Sequence, residues 1–253
     1  MTGIEVRDLC VRFGTHEPVL KELSFRIESG AMVSLLGGSG SGKSTLLRSI
    51  ARLQPITSGE VAFTGESPKR RAGDLAYVFQ DATLLPWRTA AQNVRLPLEL
   101  TARSVEERGA QATEEMVAEA LRAVGLDESS WKKYPRQLSG GMRMRVSLAR
   151  AIVTDPAVLL LDEPFGALDE ILRARMNELL IELWMRRRRT VLFVTHNIAE
   201  AINLSQRMAI LGSGRICRWI ENPLPLPRSS DVRSSPEFAL LYADVAAALY
   251  ETV

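Results

Sequence analysis

The chain has 253 residues, 46% hydrophobic and 25% charged, which is the composition of a folded globular protein and excludes a mostly disordered one. Its 32 basic and 30 acidic residues leave a formal net charge of +2, so no global charge imbalance points to nucleic acid or to an acidic membrane surface. Cys10 and Cys217 lack the spacing of a zinc site or a disulfide framework, and we expect a reducing compartment.

No targeting or membrane-spanning segment is expected. The N-terminal stretch MTGIEVRDLCVRFG carries charges throughout and lacks the apolar core of a signal peptide. The most apolar stretch, residues 238–250, is shorter than the roughly 20 residues that span a bilayer. We expect one globular unit that needs a partner if it acts at a membrane.

The first eighty residues predict strands, because segments such as IEVRDLCVRF and VLKELSFRI alternate apolar and polar side chains. From Ala90 to about Val124 the apolar period becomes helical, and Gly125 is a stop signal. We therefore predict a helical insertion over residues 85–140. The residues that carry the period are Val105, Met116, Val117, Ala120, Leu121 and Val124.

Helices and short apolar strands alternate after the insertion. We predict a helix from Gly141, the strand AVLLL at 157–161, a helix from Asp169 to about Arg187, the strand VLFVTH and a further helix. Such alternation is typical of a parallel sheet covered on both faces. The Pro-spaced segment NPLPLPRSS predicts an extended linker before a short helix ending at Tyr250.

The segment GGSGSGKST matches the spacing of a phosphate-binding loop through Gly37, Gly42, Lys43 and Ser44. It follows the strand AMVSLL and precedes a helix, so backbone N–H groups would point at phosphate oxygens. Lys43 would reach the β- and γ-phosphates, and Ser44 would hold Mg²⁺. The alternative is a glycine-rich surface turn.

Two further strands end in polar side chains that should meet at the same edge of the sheet. After VLLL come Asp162, a candidate Mg²⁺ ligand, and Glu163, a candidate base for the water that attacks the γ-phosphate. His196 ends VLFVTH and could contact the γ-phosphate. The alternatives are an Asp-Glu turn and a capping histidine.

Gln80 and Phe13 are weaker candidates. Gln80 ends LAYVFQ and is long enough to reach Mg²⁺ or the attacking water, although it could equally be a polar strand terminus. Phe13 could stack on adenine, although phenylalanine is more often a core residue.

A second glycine-rich loop, LSGGM, starts the helix GMRMRVSLARAI with Ser139, Gly140 and Gly141. A helix N-terminus binds anions, but the insertion should separate this loop from the first one. The simplest solution is two chains arranged head to tail, each completing the other's ATP site. The alternative is an N-capped helix without a ligand.

These motifs, in this order over roughly residues 4–220, closely resemble the ATP-binding subunit of ATP-binding cassette (ABC) transporters. The resemblance implies an α/β P-loop NTPase with a mainly parallel sheet, an N-terminal antiparallel β region and an inserted helical subdomain. It places the ATP-binding domain at 1–220 and a C-terminal linker and short helix at 221–253. The nucleotide-binding residues it implies are Phe13, Gly37, Gly38, Ser39, Gly40, Ser41, Gly42, Lys43, Ser44, Thr45, Ser139, Gly140, Gly141 and Asp169.

The same resemblance assigns Glu163, His196 and Gln80 to catalysis and Ser44, Gln80 and Asp162 to Mg²⁺. The segments VFQDATLLPWRTAAQNV, LSGGMR and EPFGALDEILR look most like subunits that energise uptake of nitrate, sulfonates or taurine. The implied partners are a second ATPase subunit arranged head to tail, membrane-spanning permease subunits and, indirectly, a solute-binding protein. The implied location is peripheral, at the cytoplasmic face of the cell membrane.

Two other classes of function are alternatives to a transport ATPase. A soluble ABC ATPase acting on nucleic acid would carry a long coiled-coil insertion or a second cassette, and the run RRRR at 186–189 is expected to be a solvated helix end. No nucleic acid is therefore expected. A regulatory module that binds ATP without turnover is disfavoured because Glu163 and His196 are both present.

Overall fold

The structure is a computed structural model, and it describes residues 2–65, 73–101, 109–228 and 230–252. The strands in these ranges are β1 (Thr2–Val11), β2 (Leu20–Ile27), β3 (Met32–Leu36), β4 (Ser58–Gly65), β5 (Leu75–Val78), β6 (Val158–Asp162), β7 (Thr190–Val194), β8 (Arg207–Gly212) and β9 (Arg215–Glu221). The α-helices are α1 (Lys43–Ile50), α2 (Ala90–Leu100), α3 (Ala110–Ala123), α4 (Gly140–Ile152), α5 (Glu170–Arg187), α6 (Ile198–Leu204) and α7 (Pro236–Tyr250). Short 3₁₀ turns lie at Glu128–Ser130, Pro135–Gln137 and Ser230–Ser234.

The N-terminal strands form a small antiparallel sheet in the order β2-β1-β4. Alternation places Ile4 and Val6 of β1 in the core, and an irregularity in the strand pairing between Val6 and Leu9 returns Leu9 to the same side. The predicted antiparallel β region is thereby confirmed.

The larger sheet has the order β5-β6-β7-β3-β8-β9, and every neighbouring pair is parallel except β8 with β9. Strands β3, β6 and β7 are buried along their whole length. Helices cover one face of the sheet, and α1 together with the small antiparallel sheet covers the other. The predicted, mainly parallel sheet is confirmed, and it brings the carboxyl ends of β3, β6 and β7 to one edge.

Helices α2 and α3 lie between β5 and β6, within the range predicted for the helical insertion, and α4 follows them. Val117, Ala120, Leu121 and Val124 are buried as their period required, whereas Val105 lies outside the described residues. Helix α4 begins at Gly140, one residue before the predicted start. The subdomain boundaries 85–140 and the division at 220 remain predictions.

The C-terminal segment is fixed to the body of the protein. Residues 222–228 contain neither helix nor strand, and the buried Arg228 guanidinium donates to the carbonyl oxygens of Ile202, Ser205 and Leu224. Helix α7 then ends at Tyr250, as predicted. Within the described ranges, no helix has the length and apolarity needed to cross a membrane.

Candidate functional site

The loop between β3 and α1 wraps around the amine of Lys43. Its Nζ donates to the carbonyl oxygens of Gly37 at 2.9 Å and Gly38 at 2.8 Å, and the side chain is buried. Burial lowers the pKa of Lys43, while the charges of Glu163 and Asp162 act in the opposite direction. Bound phosphates would add further negative charge beside this amine.

Gly42 caps α1 with a φ of 104°, a left-handed conformation that L side chains rarely adopt. A Cβ atom at Gly42 would also lie only 2.7 Å from Leu20 Cδ2. The glycine therefore allows the chain to turn sharply from the loop into the helix.

Asp162 ends β6 directly beside α1. Ser44 Oγ donates to Asp162 Oδ1 at 2.8 Å, and the Tyr77 hydroxyl donates to Oδ2 at 2.7 Å. Carboxylate and hydroxyl oxygens are the donors that Mg²⁺ prefers, so Ser44 and Asp162 fit that ion. Sequence reasoning missed Tyr77, whose only sequence signal is its place on the strand before Gln80.

The next residue, Glu163, turns away from Asp162 because its φ of 45° is left-handed. Its N–H donates to the carbonyl oxygen of Val194 at 3.0 Å, which ties the turn to the end of β7. Glu163 Oε2 lies 2.9 Å from His196 Nδ1. Two of the three predicted catalytic residues, which follow separate strands, are thus in hydrogen-bond contact.

One cavity of about 490 Å³ joins most of these groups. Among the residues that the structure describes, the cavity is lined by Phe13, Val19, Ser39, Gly40, Gly42, Lys43, Ser44, Thr45, Glu163 and His196. Phe13 is 43% exposed, which leaves its ring available to a ligand. Val19 was not predicted.

The remaining predicted residues do not line this cavity. Gln80 is exposed two residues after β5. Ser139 caps α4 by accepting from Met142 N–H at 3.2 Å, and Asp169 caps α5 by accepting from Leu172 N–H at 2.9 Å. Ser139 and Asp169 therefore lie outside the cavity that contains this chain's phosphate loop.

The loop at Ser139 is open to solvent. Gly140 is exposed, and a Cβ atom there would meet only Arg143 Nη2 at 3.9 Å. Gly141 is buried, and its Cβ atom would lie 2.4 Å from Leu172 Cδ2. The first glycine is therefore free of packing demands, whereas the second serves the contact between α4 and α5.

Behind His196, a buried carboxyl group fixes the start of α6. The Thr195 hydroxyl donates to Glu200 Oε2 and accepts from Asn197 N–H at 3.0 Å. Burial raises the pKa of Glu200, with Thr195 and the charges of Arg173 and His196 opposing that rise.

Glu200→Gln is expected to stabilise the fold increasingly as the pH rises. A raised pKa means that the folded state holds this proton more tightly. The stability that the proton provides is fully present below pH 4.5 and is lost as the pH rises through the raised pKa. Glutamine keeps an acceptor for Thr195 without the buried charge. Urea unfolding should show a larger gain in the free energy of unfolding at pH 8 than at pH 5. The control is Glu178→Gln, whose side chain is exposed. A gain that shrinks with rising pH contradicts the assignment.

A parallel sheet whose strand ends hold a lysine-filled phosphate loop, a Ser-Asp pair and a Glu-His pair defines a P-loop nucleoside triphosphatase. A family profile described as ABC transporter matches residues 20–166. The chain therefore belongs to the ABC transporter family, and it is an ATP-binding, ATP-hydrolysing member of it.

Named relatives match over most of their length. The aliphatic sulfonates import ATP-binding protein SsuB 2 of Rhizobium johnstonii is 46% identical over 94% of this chain and 87% of its own. The taurine import ATP-binding protein TauB of the same organism is 38% identical over 95% and 92%. The nitrate import ATP-binding protein NrtD of Synechocystis is 42% identical over 87% and 83%.

The fold has solved counterparts as well. A dimeric structure of a post-hydrolysis state of the ATP-binding cassette MJ0796, bound to ADP and Pi, superimposes with a TM-score of 0.76. It is 31% identical, and the match covers 89% of this chain and 99% of that one. The expected P-loop ABC ATPase fold is confirmed.

Proposed function

We propose that this chain energises uptake of a small oxyanion, a sulfonate, taurine or nitrate, as a peripheral subunit at the cytoplasmic face of the membrane. The contact that carries the hydrolytic part is Glu163 with His196, in the same cavity as Lys43 and Ser44. The names of the relatives support the class of solute. Nothing in the site or among these relatives favours the nucleic-acid alternative.

Each residue in the cavity receives one role. Lys43 and the N–H groups of the loop bind phosphates, and Phe13 stacks on adenine. Glu163 accepts the proton of the attacking water, and His196 orients that carboxylate and contacts the γ-phosphate. Ser44 and Asp162 would hold Mg²⁺, which neutralises charge on the phosphates when bound. Gln80 is proposed to reach the ion or the water from the strand end.

A second copy is proposed to supply the other half of each ATP site. Ser139 and Gly140 are exposed at the N-terminus of α4, outside the cavity that holds Lys43. A head-to-tail pair would place this helix terminus of one chain against the γ-phosphate on the other. The dimeric cassette of similar fold supports the pairing of two chains.

A permease is proposed to dock on the surface formed by residues 82–88. Asn93, fully buried, accepts from Leu85 N–H and donates to the carbonyl oxygens of Leu85, Arg88 and Thr89. Arg150 donates to the carbonyl oxygens of Ala82 and Thr83. These bonds hold the segment rigid while Trp87 remains 70% exposed.

The test is copurification of tagged chain from detergent-solubilised native membranes. Recovery of a multi-span membrane protein supports the proposal, and that partner leads to the solute-binding protein and the solute. Recovery of only nucleic acid or soluble proteins, with ATPase activity indifferent to the membrane extract, contradicts it.

Trp87→Ala is expected to lower recovery of the membrane partner about tenfold or more, because a large exposed aromatic at a binding surface typically dominates affinity. ATPase activity of the isolated chain should stay unchanged, since Trp87 does not line the nucleotide cavity. Leu240→Ala is a matched control, with a leucine that is 73% exposed on α7. Equal recovery with both variants would exclude residues 82–88 as the docking surface.

A further inference from the structure

Asp162 is held at both of its oxygens, and only one of the two partners belongs to the phosphate loop. Oδ1 accepts from Ser44 and Oδ2 accepts from the hydroxyl of Tyr77, 85 positions away in the chain. Two donors on opposite oxygens fix the plane of a carboxylate, whereas one donor leaves it free to rotate. Asp162 is 4% exposed, so water has little access to replace either donor.

Strand pairing explains why Tyr77 reaches this carboxylate. In the parallel register of β5 and β6, Tyr77 lies opposite Leu160. Side chains two residues apart share a face, so Tyr77 is on the face of Asp162, one step back along the sheet. Its ring packs on Phe79 with centroids 4.4 Å apart, which directs the hydroxyl toward the strand end.

Arg48, one helical turn after Ser44 on α1, also acts on the phenol of Tyr77. Burial and the bond to Asp162 raise the pKa of Tyr77, and the positive charge of Arg48 opposes that rise.

We propose that Tyr77 is a positioning residue for the metal site: its hydroxyl holds Oδ2 of Asp162 so that Oδ1 stays directed at Ser44. This inference rests on the proposed role of Ser44 and Asp162 in holding Mg²⁺. Groups that hydrogen-bond a metal ligand fix its orientation, and their loss typically lowers metal affinity or activity by about 10- to 100-fold.

Tyr77→Phe removes only the hydroxyl and keeps the ring on Phe79. Affinity for a fluorescent ATP analogue is measured in EDTA and across a Mg²⁺ titration, and Mn²⁺ binding with ADP is followed by electron paramagnetic resonance. We expect unchanged nucleotide affinity in EDTA and about tenfold or greater loss of Mg²⁺ and Mn²⁺ affinity. The matched control is Tyr242→Phe, whose tyrosine is 43% exposed on α7.

The outcomes separate this inference from the proposed function. If the parent chain shows no Mg²⁺ dependence of nucleotide affinity, the metal site itself is wrong. If the parent depends on Mg²⁺ and Tyr77→Phe matches it, the positioning role is overturned alone. Equal loss in EDTA and in Mg²⁺ also overturns it, because the phenol would then act on the loop and not through Asp162.

Discussion

Glu163→Gln is expected to lower the rate of ATP hydrolysis by about 10²-fold or more while ATP affinity changes little. A left-handed turn places the Glu163 carboxylate beside the end of β7, and an amide of the same shape cannot accept the proton of water. Glutamine can still pair with His196, so the geometry of the site should survive.

Bound but uncleaved ATP should then hold two chains together. Static light scattering with ATP is expected to show a stable dimer for Glu163→Gln and a transient one for the parent, and ADP should release both. Glu182→Gln, on the exposed face of α5, is the control for loss of a carboxylate. Parental turnover in Glu163→Gln would exclude it as the base.

The sheet edge could be predicted from the sequence because its strands are short, mostly apolar and alternate with helices. Strands of this kind typically pair in parallel, and parallel strands bring their carboxyl ends to one edge. Lys43, Asp162, Glu163 and His196 could therefore be predicted to lie near one another. The left-handed φ of Glu163 was not foreseen, since the residue type itself disfavours that conformation.

Contacts that depend on strand register could not be predicted from the sequence. Tyr77 reaches Asp162 only because the pairing of β5 with β6 sets Tyr77 opposite Leu160, two residues before β6 ends at Asp162. A shift by one residue would turn the phenol to the other face. Glu200 was missed for a related reason, because the pattern of α6 does not show that its carboxyl folds back on Thr195.

Mixing two inactive variants is expected to restore ATPase activity if each site is built from two chains. Lys43→Ala removes the amine from the phosphate loop. Gly140→Leu places bulk where the opposing phosphate would sit. The chain's own fold leaves space for the added Cβ, which would meet only Arg143 Nη2 at 3.9 Å, and residue 140 is exposed. Leucine also favours helix more than glycine does, so this variant should unfold no earlier than the parent.

Each variant alone should lose about 10²-fold or more in rate, because every site in its dimer lacks one half. A mixed dimer instead contains one site with both defects and one with neither. With random pairing, half of the dimers are mixed and half of their sites are intact, so an equal mixture should recover up to about a quarter of the parental rate. If each chain completed its own site, the mixture would show only the mean of two inactive variants. A flat result after verified subunit exchange would therefore exclude the head-to-tail dimer, and recovery has no source other than a site shared between chains.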